Sequence, residues 1–120
     1  MIQDHFDGHG LNDDLAIDCD PRDRLSGGNA SHRYTVSLDG ETVADIRFQH
    51  GPRHVEKSVA GVTNEAIIAV VIDRLRGFQD GPYRCRENAI ALTKLEEALH
   101  WHQARAHDRA RRGVLGKNQE

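Results

Sequence analysis

Cysteine, proline and long apolar runs are scarce in this chain, and each shortage removes a class of protein. The two cysteines, Cys19 and Cys85, stand far apart and form no CxxC pair, so they suggest neither a zinc site nor a disulfide framework. A reduced, cytoplasmic setting fits. No apolar run approaches the roughly 18 residues of a spanning helix, and the acidic N-terminus lacks the basic and apolar segments of a signal peptide. A soluble, intracellular protein with no membrane partner is therefore expected. Phosphate-binding loop, Rossmann fingerprint, nucleophile elbow and zinc-protease motif are all missing. The search for an enzyme is mostly negative, and no cofactor is called for.

Glycine and proline are also absent between Pro82 and Gly113, where Ala, Leu, Lys, Glu and Arg dominate. These are good helix formers, and the stretch predicts one long helix on the order of 45 Å after the Asp80-Gly81-Pro82 turn. Leu92, Leu95 and Leu99 recur at helical spacing with Ala91, Ala98 and Trp101 beside them, a wide stripe that needs a partner surface. The net charge of -3 excludes a uniformly basic nucleic-acid binder, but it hides a polarity. Residues 1–30 hold seven Asp against two Arg, whereas residues 84–117 hold eight Lys/Arg against four Asp/Glu. An anionic ligand would be drawn to the last helix. A solvated basic tail at the negative end of the helix dipole explains the same arginines without a ligand.

The remaining chain predicts an α+β fold: a small antiparallel sheet followed by an α-helical hairpin. At 120 residues it is one domain with a marginal core of its own, which self-association would help. Residues 1–30 read as a variable arm, with residues 1–13 loosely docked and a short strand possible over Asp14–Cys19; residues 31–120 form the main body. His5 and His9 are four apart, but Gly8 and Gly10 speak against the helix that would make them a metal pair. His32–Leu38 and Glu41–Gln49 alternate as strands, the second with one irregularity between Val43 and Ile46, and Asp39-Gly40 joins them as a hairpin turn. Thr63-Asn64-Glu65 opens a helix that Gly77 is expected to terminate. Its run Ala66–Ile72 is rich in β-branched residues, so a buried strand competes with that reading. The phrase FQ-x-GP occurs at Phe48–Pro52 and again at Phe78–Pro82, where Gly-Pro turns the chain.

Binding chemistry is better supplied than catalysis. Arg105 and Arg109 are four apart on one helix face, where two guanidinium forks can clamp a pyrophosphate. Phe78 offers a ring for base stacking and Asn88 a donor and an acceptor for a base edge or ribose, although core packing and helix surface account for them equally. Asn88 and Arg105 are seventeen residues apart, roughly 25 Å along a helix. A compact dinucleotide cannot touch both within one chain. If they share a site, two antiparallel long helices must build it, in two equivalent copies.

The runs FQHGP, GVTNEAIIAVVIDRLRGFQDGPYRCRENAIALTKLEEALHW and DRARRGV resemble the first family of phage Thoeris anti-defence sponges, over about residues 32–116. The TKLEEAL core is also similar to anti-CBASS sponges that share a helical hairpin. The resemblance implies a non-catalytic protein of the infected bacterial host's cytoplasm that sequesters glycocyclic ADP-ribose, in its 1″-2′ and 1″-3′ forms, in pockets between protomers. It assigns the stacking ring to Phe78, the base contact to Asn88 and the phosphate contacts to Arg105 and Arg109. It further implies a homodimer or a hexamer, a trimer of dimers, with separate sites for cyclic di- or trinucleotides, for which Arg53 and Arg86 are the candidates. Two departures stand out: relatives carry an acidic residue near Leu115 and a leucine at His102. Two other classes remain open. An enzyme cleaving such nucleotides would use Glu97 or His100, and a nucleic-acid-binding factor would use the Arg105–Arg112 patch.

Overall fold

Asp39 and Gly40 both take left-handed backbone, at φ 50° and 82°, so the chain reverses within two residues. Around that reversal the computed structural model, which describes residues 1–25, 28–51 and 58–113, places three antiparallel strands. They are β1 (Leu15–Cys19), β2 (Arg33–Leu38) and β3 (Glu41–Arg47), in the order β1-β2-β3. Val36 pairs with Ala44 but Ser37 pairs with Thr42, so Val43 is an extra residue in β3. This bulge is the irregularity between Val43 and Ile46: it returns Ile46 to the face shared by Tyr34, Val36 and Ile17. Tyr34 meets Phe48 edge to face at 5.7 Å on that face.

Residues 1–14 fold back on β1. The Ile2 N–H donates to the Ile17 carbonyl at 3.0 Å, and His5 Nε2 contacts the Leu15 carbonyl at 2.7 Å. That contact commits His5 to the backbone. Past β3, the chain closes through mutual His50–Val59 backbone hydrogen bonds of 2.9 and 2.8 Å. Gly61 then crosses the end of β3 so closely that a Cβ there would collide with the Arg47 and Phe48 carbonyl groups.

The described residues between Met1 and Gly61 form one compact unit, and Val62 to Gly113 form a second. The second is a hairpin of α1 (Asn64–Gln79) and α2 (Arg86–Arg111). Thr63 caps α1 by accepting the Ala66 N–H at 3.1 Å, and Glu65 lies in its positive first turn. The β-branched run therefore becomes helix: each such residue costs only a few tenths of a kcal/mol against alanine, while burying Ile72 contributes roughly 1.5–3 kcal/mol. Ile72, 2% exposed, is the one buried apolar residue among the described residues. Gly77 does not end α1. The helix runs through it to Asp80, whose N–H reaches the Arg76 carbonyl, and stops where Pro82 cannot continue it. Cys85 caps α2, its Sγ accepting the Asn88 N–H at 3.4 Å.

Leu92, Leu95 and Leu99 line the α1-facing side of α2 and are half-buried. Arg76–Glu96 at 2.9 Å and His102–Glu65 at 3.3 Å tie the two helices antiparallel. No described helix is long and apolar enough to cross a membrane.

Candidate functional site

Phe78 sits in the last turn of α1, so the hairpin turn fixes where its ring can point. Gln79 makes that turn firm: its amide oxygen accepts the Cys85 N–H at 3.0 Å and its Nε2 donates to the Cys85 carbonyl at 3.2 Å. The Phe78 ring is half-buried, with the Arg74 guanidinium carbon 5.0 Å from its centroid and Tyr83 edge-on at 6.2 Å. A cation there takes one of the ring's two electron-rich faces, the kind of face on which a nucleobase also stacks. Arg74 and Tyr83 are thus part of the ring's surroundings, which the sequence reading missed; the four-residue spacing of Arg74 and Phe78 was the available signal. Tyr83 is 74% exposed and open to a ligand.

Asn88 lies in the first turn of α2, a few residues past the same hairpin turn, and is half-buried. The turn therefore groups Phe78, Tyr83 and Asn88 at one end of the hairpin. Arg105 and Arg109 occupy the last two turns of α2, the first exposed and the second half-buried. With both Asn88 and Arg105 inside one unbroken helix, they stand roughly 25 Å apart. One chain holds the two halves of the predicted site at opposite ends. Beside the arginines, Asp108 binds Arg111 at 3.5 Å and Arg112 at 3.2 Å, which reduces the charge of the basic patch at its C-terminal edge.

Arg86, at the start of α2, lines a shallow surface groove with Ala89, Ile90, Thr93 and Lys94. Arg53, its proposed companion, lies outside the described residues. Glu97, the carboxylate weighed for catalysis, is in a surface ion pair with Lys94 at 3.9 Å, and its neighbour Glu96 pairs with Arg76 at 2.9 Å. His100 is exposed and lies edge-on to Trp101 at 6.0 Å. His102, the departure from the expected leucine, reaches Glu65 and helps to close the helical hairpin.

A family model described as Acb2/Tad1, hairpin domain, matches residues 40–106, from the start of β3 through most of α2. Phe78, Arg86, Asn88 and Arg105 fall within the match, and Arg109 lies just past it. The chain is also similar to a protein named Thoeris anti-defense 1 from Bacillus phage SBSphiJ7, with 47% identity over 94 residues. That alignment takes in 78% of this chain and 65% of the relative, so the chain spans just under two thirds of the relative's length.

Proposed function

This chain belongs to the Acb2/Tad1 hairpin-domain family, and from that membership we propose that it is a phage anti-defence protein directed against Thoeris, acting in the infected host by sequestering a nucleotide signal without altering it. The ligand class is a cyclic ADP-ribose, glycocyclic ADP-ribose in particular. Its pyrophosphate suits the Arg105 and Arg109 forks, and its adenine suits the Phe78 ring and the Asn88 amide.

One observation carries this reading. Ala91, Ala98 and Arg105 recur every seven residues along α2, beside the side that Leu92, Leu95, Leu99 and His102 turn to α1, and Asn88 and Arg109 flank them at steps of three and four residues. They form a single seam, polar at each end with two alanines between, on which a second helix can pack. Two copies packed antiparallel across this seam, with the twofold near Ala98, bring Asn88 of each opposite Arg109 of the other. Ala91 and Ala98 permit close approach, and Trp101, 72% exposed, stands beside the seam. The separation that forbids a site within one chain becomes the spacing of two equivalent sites in a dimer. For a further cyclic oligonucleotide the candidates are Arg86, in the groove that it shares with Lys94, and Arg53.

The test is to incubate the purified protein with glycocyclic ADP-ribose, filter away free ligand, heat the protein, and identify what is released. Intact ligand is expected; recovery of a cleaved nucleotide would make the protein an enzyme instead. Arg109→Glu is expected to lower affinity by at least about 100-fold, the loss of a charge-assisted contact worth roughly 1.5–3 kcal/mol plus the repulsion of the new carboxylate. Its melting temperature should stay close to that of the parent chain.

A further inference from the structure

Three side chains that play no part in the nucleotide reading meet in the N-terminal unit. Asp23 lies in the connection between β1 and β2, His32 immediately before β2, and His50 three residues beyond β3. The connection is closed on itself, with the Asp23 N–H donating to the Ala30 carbonyl and the Asn29 N–H to the Asp23 carbonyl, both at 2.8 Å. Asp23 Oδ1 accepts the Leu25 N–H at 3.2 Å, which orients the carboxylate. Its Oδ2 then faces both imidazoles, 3.2 Å from His32 Nε2 and 3.3 Å from His50 Nε2. The two rings are stacked with centroids 4.2 Å apart and planes inclined by 13°, so they present the same nitrogen to the same place.

We propose that Asp23, His32 and His50 form a binding site for a divalent transition metal of the Zn2+ type. Bonds of 2.0–2.1 Å in tetrahedral geometry set neighbouring ligand atoms about 3.3 Å apart, which is the spacing of both imidazole–carboxylate pairs. All three ligand atoms lie within 4.8 Å of one another. With two sides of that triangle near 3.3 Å, the point equidistant from its corners is no more than about 2.4 Å from each, within a small side-chain adjustment of a coordination bond. Two imidazoles and one carboxylate favour Zn2+, Ni2+ or Cu2+ over Mg2+ or Ca2+, which prefer oxygen alone. The Leu25 N–H supplies the outer hydrogen bond that holds a ligating carboxylate in place. Side-chain exposures of 22–26% leave a route for the ion and room for water as the fourth ligand. Bound there, the ion would cross-link the β1–β2 connection to the two strand ends that His32 and His50 flank, bracing the sheet without any role in the nucleotide pockets.

The chelator-treated full chain is titrated with Zn2+ by calorimetry and with Co2+ by visible absorption. One equivalent is expected to bind, with the intense absorption of four-coordinate Co2+ and a rise in melting temperature on adding Zn2+. His32→Gln and His50→Gln should each weaken Zn2+ binding by at least about 10-fold while circular dichroism shows the fold retained. His9→Gln and Cys19→Ser, which alter exposed side chains outside the cluster, should leave it unchanged. Failure of the folded parent chain to bind Zn2+ at micromolar concentration would overturn the site and leave a hydrogen-bonded triad. So would binding that survives both cluster substitutions. Neither result bears on the release experiment with the nucleotide.

Discussion

Arg33 reaches diagonally from β2 to Asp45 on β3, on the polar side of the sheet, and donates two hydrogen bonds of 3.1 and 2.8 Å. This forked contact, with the guanidinium charge behind it, holds the Asp45 carboxyl below its ordinary range and raises Arg33. A carboxyl whose folded value is depressed binds fewer protons in the folded state than in the unfolded one. Its stabilising contribution is therefore fully present above the unfolded value of about 3.9 and is lost as pH falls through the folded value. Both side chains are largely exposed, so the effect belongs to acid conditions and to low salt. Replacing Arg33 with Gln is expected to return the Asp45 titration, followed by carboxyl NMR, upward toward the ordinary value; an unmoved titration would assign the shift to something other than this pair. At the same scale, the cluster of Asp23, His32 and His50 was invisible in the sequence. The three are nine and eighteen residues apart, with no repeated spacing, and only strand pairing and the closed loop bring them together.

Elements were more legible than contacts. The Asp39-Gly40 reversal, the strands beside it and the capped start of α1 follow from local chemistry that the fold leaves intact. Gly77 misled because glycine only permits a helix to end; the stop comes three residues later, where Asp80 closes the last turn and Pro82 lacks an N–H. The two FQ-x-GP phrases show what their glutamines do. Gln49 donates to the Gly51 carbonyl at 2.9 Å and accepts the Gly61 N–H at 3.1 Å, while Gln79 grips both backbone groups of Cys85. Each glutamine brings back the chain that leaves its turn, one after a strand and one after a helix. Gln79→Ala should therefore cost about 1–2 kcal/mol, two net hydrogen bonds at a partly hydrated turn, measured from urea unfolding midpoints. Gln79→Glu keeps the acceptor for the Cys85 N–H and loses the donor, so its midpoint should fall between the two. Because this turn also sets Phe78 relative to Asn88, the same substitution should weaken nucleotide binding under the proposed function.

At the scale of the whole molecule, the helical unit carries apolar side chains that are exposed among the described residues. Val70 is 67% and Trp101 72% exposed, and no residue of α2 is fully buried. The sequence conveyed the distance between Asn88 and Arg105 because an uninterrupted helix is a ruler, yet it could not say which chain completes the site. A two-chain site has a consequence that no one-chain site shares. Asn88→Glu places a carboxylate where the ligand is held and, in the first turn of α2, suits the helix dipole; Arg109→Glu removes the clamp at the other end. Each protein alone should fail to bind. If the two are unfolded together and refolded in equal amounts, half of the dimers contain one chain of each kind. In such a dimer one pocket carries both substitutions and the other carries neither, so about one pocket in four of the whole sample is intact. Binding measured by equilibrium dialysis should recover to about a quarter of the parent capacity, at the parent affinity. No recovery on mixing, with dimers present, would return the whole pocket to a single chain and end the antiparallel pairing across Ala98.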